Sequence, residues 1–357
     1  MAGFVSFLAK SRNLIYNVNL LYDRAASHDL KEEQTRVQAL ITGISGFVGS
    51  HLADYLLQHT DWQLAGTMFG NASTVAYLRE RVALYPADLT QPEATRAVVE
   101  KTQPDVIFHL AAQSLPTLSR QDPWGTLETN LRGQLNILEA VAQLRLPCRI
   151  LIVGSSEEYG LVEPQDLPVS ETAPLRPVTP YAVSKIAQEM LGLQYHLSQG
   201  MPVFLMRPFN HIGPRQRLGF VAADFACQVA QVEAGLRPPV VEVGNLDVAR
   251  DFTDVRDIVR AYYLAVMKGE PGQAYNVGSE QAHTVRELLQ HLIDFTGLRI
   301  EVREDEARKR KVDVPMIVSD CRKFRLCTGW QATIPFIQTL RDILDDWRTR
   351  VRQTVPG

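Results

Sequence analysis

Seven residues constrain this chain more than any others. Gly43-Ile44-Ser45-Gly46-Phe47-Val48-Gly49 follow a short apolar run at 37–41 and precede a helical stretch at 50–58. The spacing is G-x-x-G-x-x-G. Glycines let a backbone turn tightly and approach a pyrophosphate with no Cβ in the way. The helix that follows then directs free N–H groups and the positive end of its dipole at the phosphates. A lone glycine triplet is a weak signal, and an ordinary Gly-rich turn has the same composition. Here it closes a strand and opens a helix, which is the context such a cradle needs. Gly43, Ser45, Gly46, Phe47, Val48 and Gly49 are therefore the expected dinucleotide contacts.

The rest of the chain extends that start. Strand-like runs at 63–67, 83–85, 106–110, 149–153 and 203–207 alternate with helical stretches at 93–101, 126–144 and 181–197. Runs such as 106–110 are apolar throughout, as strands covered on both faces are. The alternation predicts a doubly wound parallel α/β sheet of Rossmann type. Past Pro208 the regularity breaks. Residues 208–217 read as loop, 220–233 as helix, 240–243 as a short strand, 254–267 as a helix capped by Thr253 or Asp254, and 274–277 as strand. Helices are predicted at 285–295 and 337–351. The expected organisation is an extension at 1–36, a cofactor-binding domain from 37–207 and 248–280, and a smaller discontinuous α/β substrate domain from 208–247 and 281–350. The ligand cleft is expected between the two domains, at the carboxyl ends of the strands. The extension lacks the order of charge and apolar residues of a signal peptide. A docking or targeting segment is its other reading.

Charge narrows the partners. The chain of 357 residues carries 37 Lys+Arg and 40 Asp+Glu, a net −3. Such a balance gives no general attraction to nucleic acid or to an anionic membrane. No run approaches the roughly 20 apolar residues that a membrane helix needs. The four cysteines, Cys148, Cys227, Cys321 and Cys327, show no C-x-x-C pair, so they read as reduced thiols, with no metal site, in a cytoplasmic protein.

Cofactor choice is left open by the residues. A site strict for NAD places an acid about 20 residues beyond the glycine turn, and Phe69 stands there. The segment Gly66-Thr67-Met68-Phe69-Gly70-Asn71 holds neither an acid nor an arginine, so NADP(H) and NAD(H) both remain. Asp88 and Leu89 close the third strand and are expected near the adenine. Leu110, Ala111 and Ala112 close the fourth, where small residues suit a passing dinucleotide.

Tyr181 and Lys185 are four residues apart and share one helix face. A phenol with its usual pKa near 10 exchanges protons poorly at neutral pH, and a nearby ammonium is expected to lower it. Lys185 can also hold the nicotinamide ribose. The turn after 149–153 reads Gly154-Ser155-Ser156-Glu157-Glu158-Tyr159-Gly160. A hydroxyl there can polarise a substrate carbonyl. Ser155 is the first candidate and Ser156 the second, and a Ser-Ser turn that merely caps a helix is the plainer reading.

Together the glycine turn, the small residues at 110–112, the Ser-rich turn and the Tyr181/Lys185 pair resemble the extended short-chain dehydrogenase/reductases over about residues 37–350. That resemblance implies an NAD(P)-dependent enzyme acting on a nucleotide sugar. Residues 154–160, Asn210-His211-Ile212-Gly213-Pro214, and 243–255 resemble the GDP-6-deoxy-D-mannose reductases of that family. The implied reaction is reduction of the C4 ketone of GDP-4-dehydro-6-deoxy-D-mannose to GDP-D-rhamnose. The implied substrate contacts are Asn210, Val221, Arg250, Arg310 and Asp313, with Arg250 on the diphosphate. Arg310-Lys311-Val312-Asp313-Val314 departs from the family's Arg-Pro-Ser/Thr-Glu-Val. Arg250 paired with Asp247 or Asp251 is the structural alternative. A homodimer built on the helices at 126–144 and 181–197 is also implied. The rival within the family is GDP-mannose 4,6-dehydratase, for which Glu157 stands where the family's proton-abstracting base does. Another nucleotide-sugar reductase or epimerase, and a non-catalytic dinucleotide sensor, complete the alternatives.

Overall fold

A computed structural model describes residues 36–70, 73–308 and 314–354. The expected extension falls on residues outside that range, apart from Arg36. The first half runs β1 (Gln38–Thr42), α1 (Phe47–His59), β2 (Gln63–Met68), β3 (Val82–Pro86), α2 (Pro92–Thr102), β4 (Val106–His109), α3 (Pro116–Gln121), α4 (Pro123–Gln143), β5 (Arg149–Val153), α5 (Pro180–Gln199) and β6 (Val203–Pro208). The second runs β7 (Asn210–Ile212), α6 (Val221–Glu233), β8 (Val240–Val243), β9 (Ala249–Asp254), α7 (Val255–Lys268), β10 (Ala274–Val277), β11 (Ala282–Thr284), α8 (Val285–Asp294), β12 (Glu301–Glu304), β13 (Met316–Ile317), α9 (Arg322–Thr328) and α10 (Phe336–Thr354).

Seven strands form one parallel sheet in the order β10-β6-β5-β4-β1-β2-β3. Its direction of winding reverses between β1 and β4, and the loops at such a switch point open a crevice at the carboxyl ends. Successive side chains on each strand point to opposite faces. Leu40, Ile107 and Ile150 pack with Val98 and Val99 of α2 and Ile137, Leu138 and Val141 of α4. Their neighbours Ile41, Phe108 and Leu151 pack with Leu52 and Leu56 of α1 and Ile258, Tyr262 and Val266 of α7. Each such side chain contributes about 1.5–3 kcal/mol by leaving water. Helix starts follow local chemistry. Asp122 accepts from Gly125 N at 2.9 Å ahead of Pro123, and Thr179 accepts from Ala182 N at 3.0 Å ahead of Pro180.

A second sheet has the order β11-β9-β13 with β7 also on β9, and β8 pairs with β12 in a third. Their core gathers Phe225, Val229, Leu288, Leu292, Leu340 and Leu344.

Several expectations change. Within the loop-rich stretch 208–217 lies the three-residue β7. β9 lies in the second sheet, although 248–280 read as cofactor-binding, because its partners are β7, β11 and β13. Cys321, Phe324 and Trp330 pack into the first core although 281–350 read as the second domain. The first helix begins at Phe47 rather than at 50, because Gly46 is already its extended N-cap, with φ −76° and ψ 172°. Of the two cap candidates it is Asp254 that accepts from Arg256 N, at 2.8 Å.

Candidate active site

Gly43 has φ +68°, and a Cβ there would stand 2.9 Å from the Ala111 Cα. A Cβ on Gly49 would strike the Gly43 carbonyl. The turn therefore closes only with glycine at both positions. α1 begins with no side-chain cap and no acidic residue in its first turn, which leaves its N-terminus receptive to an anion. Thr42 Oγ1 accepts from the Leu110 and Ala111 N–H groups at 3.0 and 3.1 Å, tying the ends of β1 and β4 together. Its own proton then goes to His109 Nδ1, 3.0 Å away. His109 is buried with Nε2 unpartnered among the described residues, and burial next to Lys185 pushes its pKa down to about 3. A bare helix N-terminus, a turn that excludes Cβ atoms and small residues opposite fit a dinucleotide.

The other predicted cofactor residues divide. Ser45 lies in the turn, its carbonyl accepting from Thr74 Oγ1 at 3.0 Å. Phe47 stacks on His211 with ring centres 6.1 Å apart and meets His51 edge-on at 5.6 Å. It and Val48 belong to the first turn of α1 and pack on the first core. Asp88 Oδ1 holds Thr90 through its N–H and hydroxyl, at 2.9 and 2.7 Å. The Leu89 side chain is buried in the core under α4.

Tyr181 and Lys185 occupy the first turns of α5, and the Lys185 Nζ stands 5.7 Å from the Tyr181 ring centre. Lys185 donates to the Val153 carbonyl at 2.8 Å, and burial lowers its pKa to about 8. The expected depression of the tyrosine is corrected. Burial, then Glu157 and Glu158, push Tyr181 well above its ordinary value, against a hydrogen-bonding interaction with Ser155. Two carboxyls and a dry setting outweigh an ammonium turned towards a carbonyl. Ser155 does both things considered for it. Its hydroxyl caps the following turn by accepting from Glu157 N at 3.1 Å, and it faces Tyr181. Ser156 is buried. Glu157 accepts from Thr179 Oγ1 at 3.1 Å.

Sequence reasoning missed the support beneath. Asn130 on α4 donates to Ser184 Oγ at 2.8 Å and accepts from Gln113 N at 2.7 Å. Arg207, Glu189 and Glu158 form a buried charge cluster. Charged residues inside apolar runs are the signal that could have found it, since they are rarely buried unless paired.

On the substrate side, Asn210 is exposed on β7 and Val221 opens α6. Arg250 donates to the Ala249 and Val314 carbonyls at 2.8 and 2.7 Å. Asp247 pairs with Arg286 at 2.6 Å, and Asp251 accepts from Ser279 and Ser319. Arg310 and Asp313 lie outside the described residues. No helix among the described residues is long and apolar enough to cross a membrane, and no group of three or more His, Cys, Asp or Glu among them suits a metal.

A sequence model described as GDP-mannose 4,6 dehydratase matches residues 40–343. The chain is 38% identical over 314 residues to the GDP-6-deoxy-D-mannose reductase of Pseudomonas aeruginosa, covering 88% of this chain and 98% of that protein. It is 32% identical over 277 residues to the GDP-mannose 4,6-dehydratase of Yersinia enterocolitica, covering 74% and 73%. The solved structure of RMD from Pseudomonas aeruginosa complexed with NADPH superposes with a TM-score of 0.78 at 37% identity, covering 88% of this chain and all of that one. The fold, the glycine cradle and these likenesses agree: the chain belongs to the extended short-chain dehydrogenase/reductases, in the NAD(P)-dependent family of nucleotide-sugar dehydratases, reductases and epimerases.

Proposed function

We propose that this enzyme reduces the C4 ketone of GDP-4-dehydro-6-deoxy-D-mannose to GDP-6-deoxy-D-mannose, that is, GDP-D-rhamnose. The observation that carries the reading is the end-to-end likeness to the reductase, 38% identity over 98% of that protein, against 32% over 73% of the Yersinia dehydratase. A bound nicotinamide supplies hydride chemistry at such a site. Gly43, Ser45, Gly46 and Gly49, the main chain of 110–112, and Lys185 would hold the cofactor. Tyr181, kept protonated by its surroundings, donates its proton to the oxygen on which negative charge develops. Ser155 polarises that oxygen through its hydroxyl. Asn210, Val221 and Arg250 hold the nucleotide sugar, with Arg310 and Asp313 completing the contact.

The enzyme works as a homodimer in the cytoplasm. Val183, Met190 and Leu197 recur every seven residues along one face of α5 and are exposed together with Leu135 of α4, which supports pairing through these helices. Four free cysteines support a reducing compartment.

One observation favours a second reading. Glu157 lies two residues before Tyr159 and is oriented by Thr179, as a base for dehydration would be. The test offers the protein GDP-mannose and, separately, its 4-keto-6-deoxy product, each with NADPH or NADH. Oxidation of reduced cofactor with the keto sugar alone is the expected result. Keto sugar formed from GDP-mannose without net cofactor consumption overturns the reading in favour of the dehydratase. Tyr181→Phe is expected to lower kcat by about 10²–10⁴-fold with cofactor affinity retained. Near-wild-type turnover would remove Tyr181 from the chemistry.

A further inference from the structure

Four charged side chains are buried together below Ser155. Lys185, Glu158, Glu189 and Arg207 are 4%, 0%, 2% and 5% exposed. Arg207 gives its fork to Glu189, Nε to one oxygen at 2.8 Å and Nη2 to the other at 2.5 Å. Its Nη1 donates to Tyr159 Oη at 2.9 Å and to the Glu171 carbonyl at 3.1 Å. Glu158 is left with a 3.4 Å approach to Arg207 Nε and, among the described residues, no hydrogen-bond partner on Oε2. Arg207 is thus committed first to Glu189, and Glu158 keeps its 3.4 Å approach to Arg207 together with an electrostatic interaction with Lys185.

These two grip neighbouring peptide groups. Lys185 Nζ donates to the Val153 carbonyl at 2.8 Å. Glu158 Oε1 accepts from the Ser155 N–H at 2.7 Å. Gly154 between them is fixed by its own N–H to the Met206 carbonyl, also at 2.7 Å. The end of β5 is thus clamped on three consecutive residues, and Glu158 closes the clamp on the one whose hydroxyl faces Tyr181.

Resting on the reductase reading for the roles of Ser155, Tyr181 and Lys185, we infer that Glu158 is a positioning residue. It fixes Ser155 through its main-chain N–H and supplies the buried countercharge that keeps Lys185 protonated. A cation buried without its partner gives up its proton readily. Other charged and titratable groups also face this pair. Glu157 and Tyr159 come from the same turn, Tyr181 and Glu189 from α5, Arg207 from β6, and His109 faces Lys185 from β4. Glu189 is held by Arg207, and burial keeps His109 neutral, so neither replaces Glu158. Burial and the neighbouring Glu189 raise the Glu158 carboxyl above its ordinary range, and burial lowers the Lys185 ammonium below its own. As pH rises, a proton lost from Glu158 holds the one on Lys185.

The test compares wild type, Glu158→Gln and Glu158→Asp as full-length protein. ¹³C-lysine NMR follows Lys185, assigned by its disappearance in Lys185→Arg, in the absence of substrate. In Glu158→Gln, Lys185 is expected to titrate about one unit lower, a tenfold loss of proton affinity, and the alkaline limb of kcat moves down with it. Glu158→Asp keeps the charge but is too short for the Ser155 N–H. It should hold the lysine titration near wild type while kcat falls, and it carries the test if Glu158→Gln does not fold. A Lys185 titration unmoved in Glu158→Gln, displaced in Glu158→Asp, or an unimpaired kcat in Glu158→Asp overturns the inference. If wild type fails to turn over the keto sugar, the reductase reading falls, while the NMR titration still decides the countercharge.

Discussion

Replacing Asp251 by Asn should destabilise the whole enzyme, although the two side chains have the same shape. Asp251 is fully buried on β9. Its Oδ1 accepts from the Ser279 N–H at 2.7 Å and hydroxyl at 2.6 Å. Its Oδ2 accepts from the Glu280 and Ser319 N–H groups at 3.1 Å and from the Ser319 hydroxyl at 2.5 Å. The carboxylate thus binds β9 to the turn after β10 and to the strand leading into α9. An asparagine has one NH₂ group, and each way of setting it turns that group on a main-chain donor, Ser279 in one case, Glu280 and Ser319 in the other. A hydroxyl can rotate to accept; a peptide N–H cannot. At least one buried donor is orphaned, at about 1–3 kcal/mol, and the surviving bonds lose their charge assistance, about 1 kcal/mol apiece. Relief from burying a charge offsets part of this, leaving a net loss of about 2–4 kcal/mol. Urea unfolding followed by tryptophan fluorescence measures it, because Trp330 lies in the first core and Trp347 in the second. The midpoint should fall for both cores with the slope unchanged. A loss below about 1 kcal/mol would refute the reasoning that main-chain donors around Asp251 cannot find other partners.

Gly43→Ala adds a Cβ 2.9 Å from the Ala111 Cα at φ +68°. An L-residue there costs about 1–2 kcal/mol from conformation alone, so NADPH affinity should fall by at least about tenfold in a fluorescence titration. Acid should weaken the fold through histidine. His51 donates from Nε2 to the Pro214 carbonyl at 2.9 Å and accepts from Arg215 Nη2 at 2.7 Å, and burial takes its pKa from 6.5 to about 4. The folded state resists a proton that the unfolded chain accepts. Stability is therefore complete above pH 6.5 and declines as pH falls towards 4, by about 3 kcal/mol from His51 at the order-of-magnitude level; His51→Gln should flatten that decline in urea midpoints taken at each pH. On the proposed dimer, Leu197→Glu on the exposed face of α5 should lower the mass seen by light scattering to that of a monomer, with no change in far-UV circular dichroism; a wild type that already runs as a monomer refutes that pairing.

The strands most visible in the sequence are those carried by short, mainly apolar runs. Residues 149–153, 240–243 and 274–277 are strands with the bounds their apolar runs suggest. β9 was hidden because Ala249–Asp254 carries Arg250, Asp251 and Asp254, whose charges are satisfied by caps and knots that no periodicity announces. β12, exposed throughout as Glu-Val-Arg-Glu, pairs with β8 and carries no apolar run to announce it. α9 is seven residues long, too short to display a helical period, and only its contacts reveal why Phe324 matters. The site was legible where function demands a residue type at a fixed spacing: the glycines, and the tyrosine with its lysine. Glu158 was not, since two consecutive glutamates in a polar turn do not say which will be swallowed by the fold.

The first core is completed late in the chain. β6 ends at Pro208, yet Cys321, Phe324 and Trp330 fill the layer beside α7 and β10. Trp330 is almost wholly buried, its indole N–H donating to the Asp257 carbonyl at 3.0 Å. During synthesis α7, complete at Lys268, must therefore wait for about 60 further residues before Trp330 arrives, roughly 3–12 s at the usual pace of about 5–20 residues per second. Through that interval the underside of α7 lacks the aromatic layer that later covers it.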